Sequence, residues 1–380
     1  MERLKVGIIG AGGRARAHFA TLPKLSDRFE VIAVCDIDPA RASEAAAIFK
    51  AKAYEDVDEM LSSEKLDIGF IAVQAEGHHV IAKALAEAKV HILTETPIAI
   101  TLACARQMME VAGDKGVYLE VSENVPRWPH ERLKQEIQKA GILGEVKSFY
   151  LSYTSGSYHG FAGVRSIIRS EPLSVRGEFP DEETGVLERA EMRFQRNICG
   201  TYEYNRNRGN YWRITGTDAS LEGGELVVGE RRLQIRTETV EREGRKYVVR
   251  SYVDTDPPLV WENPFRDYPL SDTDDVARAD AWISLYEAVV NGKPLTFGPE
   301  NAARDVEILM GIRDSATSGA EIDFPISDMT EHERKIHSQF AKTYGIDLLE
   351  MTPEHLKMRY SLPGELREMM YYGRTLKSSR

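Results

Sequence analysis

A chain of 380 residues, 42% hydrophobic and 29% charged, carries enough apolar material for more than one core, so two domains are expected. Its 60 acidic residues outweigh 49 basic ones for a formal charge of −11, which argues against nucleic acid or an anionic membrane surface as partner. No apolar run reaches the roughly 18 to 20 residues of a bilayer span. The N-terminus opens directly into a strand without a leader-like apolar segment, and Cys35, Cys104 and Cys199 are scattered without CxxC spacing, so neither a disulfide framework nor zinc is indicated and a cytoplasmic protein is expected.

Leu4–Ile9 is an apolar strand running into Gly10-Ala11-Gly12-Gly13; a helical pattern follows over Arg14–Leu22, and a second strand, Glu30–Cys35, ends on Asp36. That order suits a dinucleotide. Gly10 permits the tight turn, Gly12 lets the backbone approach a pyrophosphate, Ala15 allows close helix–strand packing, and the helix N-terminus faces the phosphates. Asp36, roughly 20 to 25 residues on, is placed to accept hydrogen bonds from the adenosine ribose. Its charge repels a 2′-phosphate, so NAD is expected over NADP, while Arg14 and Arg41 keep NADP open. Gly13 and Ile37 border the same site, and an ordinary glycine-rich turn in another α/β sheet is the plain alternative.

Further strands fit Ile68–Val73, Val90–Leu93 and Val117–Val121, with helices over Pro39–Phe49, Val57–Leu61, His78–Ala88 and Leu102–Ala112. Asp38-Pro39 reads as a cap followed by proline at the first helical position, and Thr101 as the cap of the last of these helices. The alternation predicts a doubly wound parallel sheet over residues 1–122. After a helix over Pro129–Ala140 the rhythm changes to long alternating runs: Val146–Thr154, Arg189–Asn197, Gly200–Tyr204, Tyr211–Thr215, Ser220–Val228, Arg231–Thr239 and Lys246–Val253. With helices over Asp275–Val290 and Asn301–Ser318, they predict an α/β domain at 123–328 built on an open, mostly antiparallel sheet, followed by a helical tail at 329–380.

With these pieces placed, the chain resembles the Gfo/Idh/MocA family of NAD(P)-dependent sugar and cyclitol oxidoreductases. The segments that carry the likeness are Val73-Gln74-Ala75-Glu76-Gly77-His78-His79, Ala82 to Pro97, Arg127-Trp128-Pro129, Gly141 to Val146, Trp282 to Gly292, and Ser315 to Gly319 with the apolar strand after it. The resemblance implies an N-terminal Rossmann domain, a sugar or polyol bound with the cofactor, and a homodimer or homotetramer paired through the C-terminal sheet. It places Val73, Gln74, His79, Glu95 and Thr96 among the cofactor contacts, and Asn124, Arg127 and Trp128 toward the substrate.

Two departures bear on chemistry. The family's Glu-Lys-Pro lysine is Thr96 here, which can hydrogen-bond but carries no charge. Its Asp-x-x-x-His element is similar to Ser155-Gly156-Ser157-Tyr158-His159, with the histidine kept and the aspartate replaced by Ser155. Three readings follow. The first is a dehydrogenase with His159 as base, helped by Tyr158 or Tyr153. The second is an NAD-dependent glycosidase of the same family, pointed to by Glu123-Asn124 after a Glu-x-Pro turn without lysine, in which oxidation is transient. The third is a redox-inactive NAD or sugar sensor.

An unperturbed pKa near 6.5 suits His159 to this work, and a loop histidine is the plain alternative. Arg165 and Arg169 follow at helical spacing, either to meet an acidic sugar or as a solvated face. Tyr202, Tyr204, Tyr211 and Trp212 among asparagines and arginines suit sugar stacking, although a sheet face or subunit interface is the preferred reading. His332 and His337 stand five apart, off the spacing of a zinc helix, so no metal site is expected.

Overall fold

The computed structural model describes residues 3–357 and 363–375. The chain forms two compact units: one gathers Met1–Glu123, Arg278–Ala303 and His337–Ser361, the other Asn124–Ala277, Arg304–Ile336 and Leu362–Arg380.

In the first unit, strands β1 (Leu4–Ile9), β2 (Phe29–Cys35), β3 (Lys52–Tyr54), β4 (Ile68–Ile71), β5 (His91–Thr94) and β6 (Leu119–Val121) make a sheet in the order β3-β2-β1-β4-β5-β6. All neighbours are parallel. Helices α1 (Gly13–Thr21), α2 (Pro39–Phe49), α3 (Val57–Ser63), α4 (His78–Glu87) and α5 (Leu102–Lys115) make the crossovers, with the order reversing between β1 and β4. Central strands of such a sheet are covered on both faces, so Val6, Ile8, Ile68, Phe70 and Ile71 are fully buried rather than alternating. The expected caps form: Asp38 accepts from the amides of Ala40 and Arg41 behind Pro39, and Thr101 accepts from that of Cys104. The short edge strand β3 has no periodicity of its own and is absent from the sequence-based expectation.

The second unit opens with α6 (Pro129–Lys139), β7 (Val146–Ser152), α7 (Ser157–Ile168) and β8 (Pro172–Glu178). It continues through β9 (Val186–Phe194), β10 (Ile198–Asn205), β11 (Tyr211–Gly216), β12 (Ser220–Glu222), β13 (Glu225–Val228) and β14 (Arg231–Gln234). The hairpin strands β15 (Arg236–Arg242), β16 (Arg245–Val253) and β17 (Leu259–Glu262) form a separate three-stranded sheet. Helices α8 (Thr273–Asn291), α9 (Pro299–Ser318) and α10 (Glu331–Tyr344) each have residues in both units, α11 (Pro353–Lys357) belongs to the first, and β18 (Ile322–Asp323) and α12 (Gly364–Tyr372) belong to the second. The large sheet runs β14-β13-β12-β11-β7-β10-β9-β8-β18, antiparallel except where β10 lies parallel to β7. The run Ser220–Val228 is broken by Gly223-Gly224 into two strands of a hairpin, and α7 and β8 occupy a stretch the sequence left without an element. Among the described residues no helix is long and apolar enough to cross a membrane.

A returning aromatic locks the first unit. Trp282 of α8 is fully buried, its ring packed at 5.2 Å from that of Phe29 and 5.4 Å from that of Phe70. Its indole N–H donates to His18 Nδ1 at 3.0 Å. Replacing Trp282 with Ala should cost about 3–5 kcal/mol, through the cavity and the unpaired His18 nitrogen, with the urea midpoint of the whole chain as the measurement.

Candidate functional site

The glycine turn sits where β1 meets the switch in strand order. Gly10 has φ +91°, and a Cβ there would stand 2.6 Å from the carbonyl oxygen of Ala72, so only glycine fits. At Gly12 and Gly13 a Cβ would meet nothing within 4 Å, so packing inside the chain does not demand glycine there. The backbone is left open for close approach, at the start of a helix whose N-cap, Gly12, offers no side-chain acceptor. Ala15 is fully buried behind it.

Asp36 holds this turn against the end of β2. One carboxylate oxygen accepts from the Ala11 amide at 2.8 Å; the other accepts from the Asp38 amide at 2.9 Å and from Arg41 Nη2 at 3.0 Å. Beside it Ile37 is an exposed apolar side chain, and Arg14 is exposed in the first turn of α1. Val73 and Gln74 lie past the end of β4, half-buried and exposed.

At the end of β5, Glu95 is buried and accepts a 2.8 Å bond from His18 Nε2. The tautomer follows from chemistry: an indole only donates, so Trp282 requires a lone pair on His18 Nδ1 and leaves the proton of a neutral ring on Nε2. Burial alone would raise the Glu95 carboxyl, but the hydrogen bond from His18, the Thr96 amide and the Arg14 charge together bring it below its ordinary value. Glu95 is therefore an oriented carboxylate, with the half-exposed Thr96 as its neighbour. His78 spans two strand-end turns, with Nδ1 3.0 Å from the Pro97 carbonyl and Nε2 3.2 Å from that of Val73. His79 turns the other way: its Nε2 donates to the Leu348 carbonyl at 2.6 Å.

In the second unit, His159 lies in the first turn of α7 rather than in a loop, half-exposed, with its ring 4.3 Å from that of Tyr158 and 6.3 Å from that of Tyr153. Gly156, at φ +91°, sets the entry to this helix; a Cβ there would stand 2.9 Å from the Tyr158 ring. Ser155 accepts from Asn210 Nδ2 at 3.1 Å. Beneath, Ser157 Oγ meets the Tyr202 hydroxyl at 2.5 Å; that hydroxyl donates to the buried Glu188 at 3.1 Å, and Glu188 accepts from Arg313 Nε at 2.9 Å. Burial first, then the Glu188 charge, raises the Tyr202 phenol well above its ordinary value, so it stays protonated.

Arg127 is fully buried, Asn124 half-buried, and Trp128 donates to Asp274 at 2.6 Å while stacking on His130. Arg165 is buried and bonded to Asp305 at 2.8 Å and Glu171 at 3.2 Å, so its guanidinium is neither a solvated face nor open toward an acidic ligand. Of the aromatic group, Tyr202 and Trp212 are core, whereas Tyr211 keeps the face character expected, with Arg208 4.4 Å above its ring. Cys35 and Cys104 are buried and Cys199 exposed, none in a disulfide, and among the described residues no cluster of metal-ligating side chains occurs.

Sequence reasoning did not single out His18 or Trp282. His18 stands one helical turn after Arg14 on the inner face of α1, a spacing that could have marked it, but its partner lies far along the chain with no local signal.

Burial, opposed by the Leu348 carbonyl, lowers the His79 ring to about 4. The unfolded chain, with histidine near 6.5, therefore binds this proton first as pH falls. Its neutral form costs nothing above pH 6.5, and folding stability declines between about 6.5 and 4. His79→Gln should remove on the order of 2–3 kcal/mol of that decline, read from denaturant midpoints at pH 7.5 and 4.5.

Residues 4–123 match the Gfo/Idh/MocA family, described as "Oxidoreductase family, NAD-binding Rossmann fold". The chain is 31% identical to the D-apiose dehydrogenase of Paraburkholderia graminis over 176 residues, 46% of each protein. It is 30% identical to the inositol 2-dehydrogenase of Salmonella typhimurium over 115 residues, 30% of this chain and 34% of that protein. These matches thus span less than half the length of either relative. A levoglucosan dehydrogenase solved with NADH and L-sorbose shares the fold, with a TM-score of 0.68 at 20% identity over 86% of this chain and 100% of that one. Residues 4–123, which carry the glycine turn, Asp36 and the parallel sheet, are thus the part of the chain that is similar to the Gfo/Idh/MocA oxidoreductases.

Proposed function

We propose that this chain is an NAD-dependent oxidoreductase that oxidises a hydroxyl of a sugar, sugar derivative or polyol. The observation that carries the reading is the pairing of an open glycine turn with the buried Asp36 carboxylate at the switch point of a parallel sheet. That pairing fits a dinucleotide: the Gly12-Gly13 backbone and the α1 N-terminus suit the pyrophosphate, Asp36 the ribose hydroxyls, and Ile37 with Val73 the adenine. When bound, nicotinamide supplies a hydride acceptor at C4. Asp36 disfavours a 2′-phosphate, and the Arg41 fork that would answer such a phosphate is engaged on Asp36 itself, which supports NAD over NADP. The sugar and polyol dehydrogenases among the relatives support the substrate class.

His159 is the candidate base, taking the hydroxyl proton as the carbon gives up its hydride; its half-exposed imidazole and the aromatic contacts that fix its ring support this role. Thr96, next to the oriented Glu95 carboxylate, contributes a hydroxyl and no charge. A second reading rests on Thr96, since a site without the lysine suits redox-neutral glycoside cleavage with NAD retained.

Asp36→Ala should raise the Kd for NAD at least tenfold by titration calorimetry and narrow the preference over NADP; unchanged affinity would end the cofactor assignment. His159→Ala should lower kcat about 10²–10⁴-fold on a screened panel of sugars and polyols while leaving NAD affinity within twofold. Production of NADH supports net oxidation, and glycoside release without NADH supports the second reading.

A further inference from the structure

The segment from Gly345 to Lys357 lies outside the residues that match the family and packs within the first unit along the carboxyl ends of its strands. Four attachments fix it there. The Leu348 carbonyl receives the buried His79 proton, and the Leu349 carbonyl receives Gln107 Nε2 at 3.1 Å. Asp347 caps the turn at Leu349 and faces His337 Nδ1 at 3.1 Å, whose Nε2 meets the Thr101 hydroxyl at 3.2 Å. Lys357 pairs with Asp56, the cap of α3 just beyond β3, and with Glu354 at 2.6 Å.

Between these anchors, Leu356 comes down on the turn after β4. A Cβ on Gly77 would meet Leu356 Cδ2 at 3.2 Å and Val73 Cγ2 at 3.3 Å, so these two side chains converge on one spot. Both are only half-buried. Ile37, beyond the end of β2, is an exposed apolar side chain. Strands β2 and β4 flank β1 on either side, which separates their ends by about 10 Å. Apolar groups, exposed at Ile37 and half-buried at Val73 and Leu356, thus stand past the ends of the two strands that flank β1, with Ile37 next to Asp36.

We propose that this segment forms the outer wall of the adenosine half of the dinucleotide site, with Leu356 and Val73 against one face of the adenine and Lys357 as the latch that holds the wall to α3. The proposal rests on the cofactor reading above. It makes Leu356 a binding residue and Lys357 a positioning residue, and it couples docking of the segment to occupancy by adenosine.

The test uses the full chain with NAD, AMP and nicotinamide mononucleotide as separate probes in calorimetry. Leu356→Ala should weaken AMP and NAD about tenfold and leave the mononucleotide unchanged. Lys357→Ala should give the same pattern through a mobile wall. In the unaltered chain, AMP should slow amide hydrogen exchange across residues 345–357, a readout independent of how the variants fold. AMP affinity within twofold of the unaltered chain in both folded variants, or no protection of this peptide, would overturn the proposal while Asp36→Ala still weakens NAD at least tenfold. Failure of the unaltered chain to bind AMP or NAD would instead remove the cofactor reading on which it stands.

Discussion

Gly10 is pressed so close to the Ala72 carbonyl that no side chain fits, and its positive φ turns the chain out of β1 at that point. The consequences spread outward. Because the turn is tight, the Ala11 amide points at Asp36, and that carboxylate joins the ends of β1 and β2 to the first turn of α2. A Cβ on Gly12 or Gly13 would meet nothing within 4 Å, which leaves room for close approach to the backbone at the mouth of α1. A single steric constraint thus sets the strand ends and orients the acid.

Several charged and polar side chains elsewhere in the core are tied to partners that specify their direction. His18 is oriented by Trp282 and in turn orients Glu95. Arg313 holds Glu188, which accepts from Tyr202, which touches Ser157 at the start of α7. Arg165 lies between Asp305 and Glu171. Such groups add little net stability, since desolvation offsets much of their attraction, but removing one partner strands the other at a cost of about 3–5 kcal/mol. Within the first unit they fix the turn that carries Thr96, and within the second they fix the start of the helix that carries His159.

The sequence is most legible where chemistry is local. The glycine turn, the Asp38-Pro39 and Thr101 caps and the alternation of strand and helix each depend on residues within a few positions of one another, and each appears where expected. Legibility falls where an element owes its form to distant neighbours. Helix α7 has glycines at 160 and 163 that make it look irregular, yet they let Tyr153, Leu151 and Val125 approach closely. Strand β3 exists because β2 offers it an edge. Arg165 looked available for solvent or ligand because Asp305, its buried partner, lies far along the chain.

By itself the sequence determined the turn geometry, the place of Asp36 at the end of the second strand and the Asp38 and Thr101 caps, because backbone sterics and side-chain chemistry act over short separations. Only the tertiary structure decided what those residues touch. The return of α8 delivers Trp282 to His18 and makes Glu95 an oriented carboxylate; the return of the segment after His337 turns His79 to Leu348 and sets Leu356 beside Val73. Those pairings join residues with no periodic relation along the chain, so they follow from burial and close packing in the folded unit and from nothing nearer.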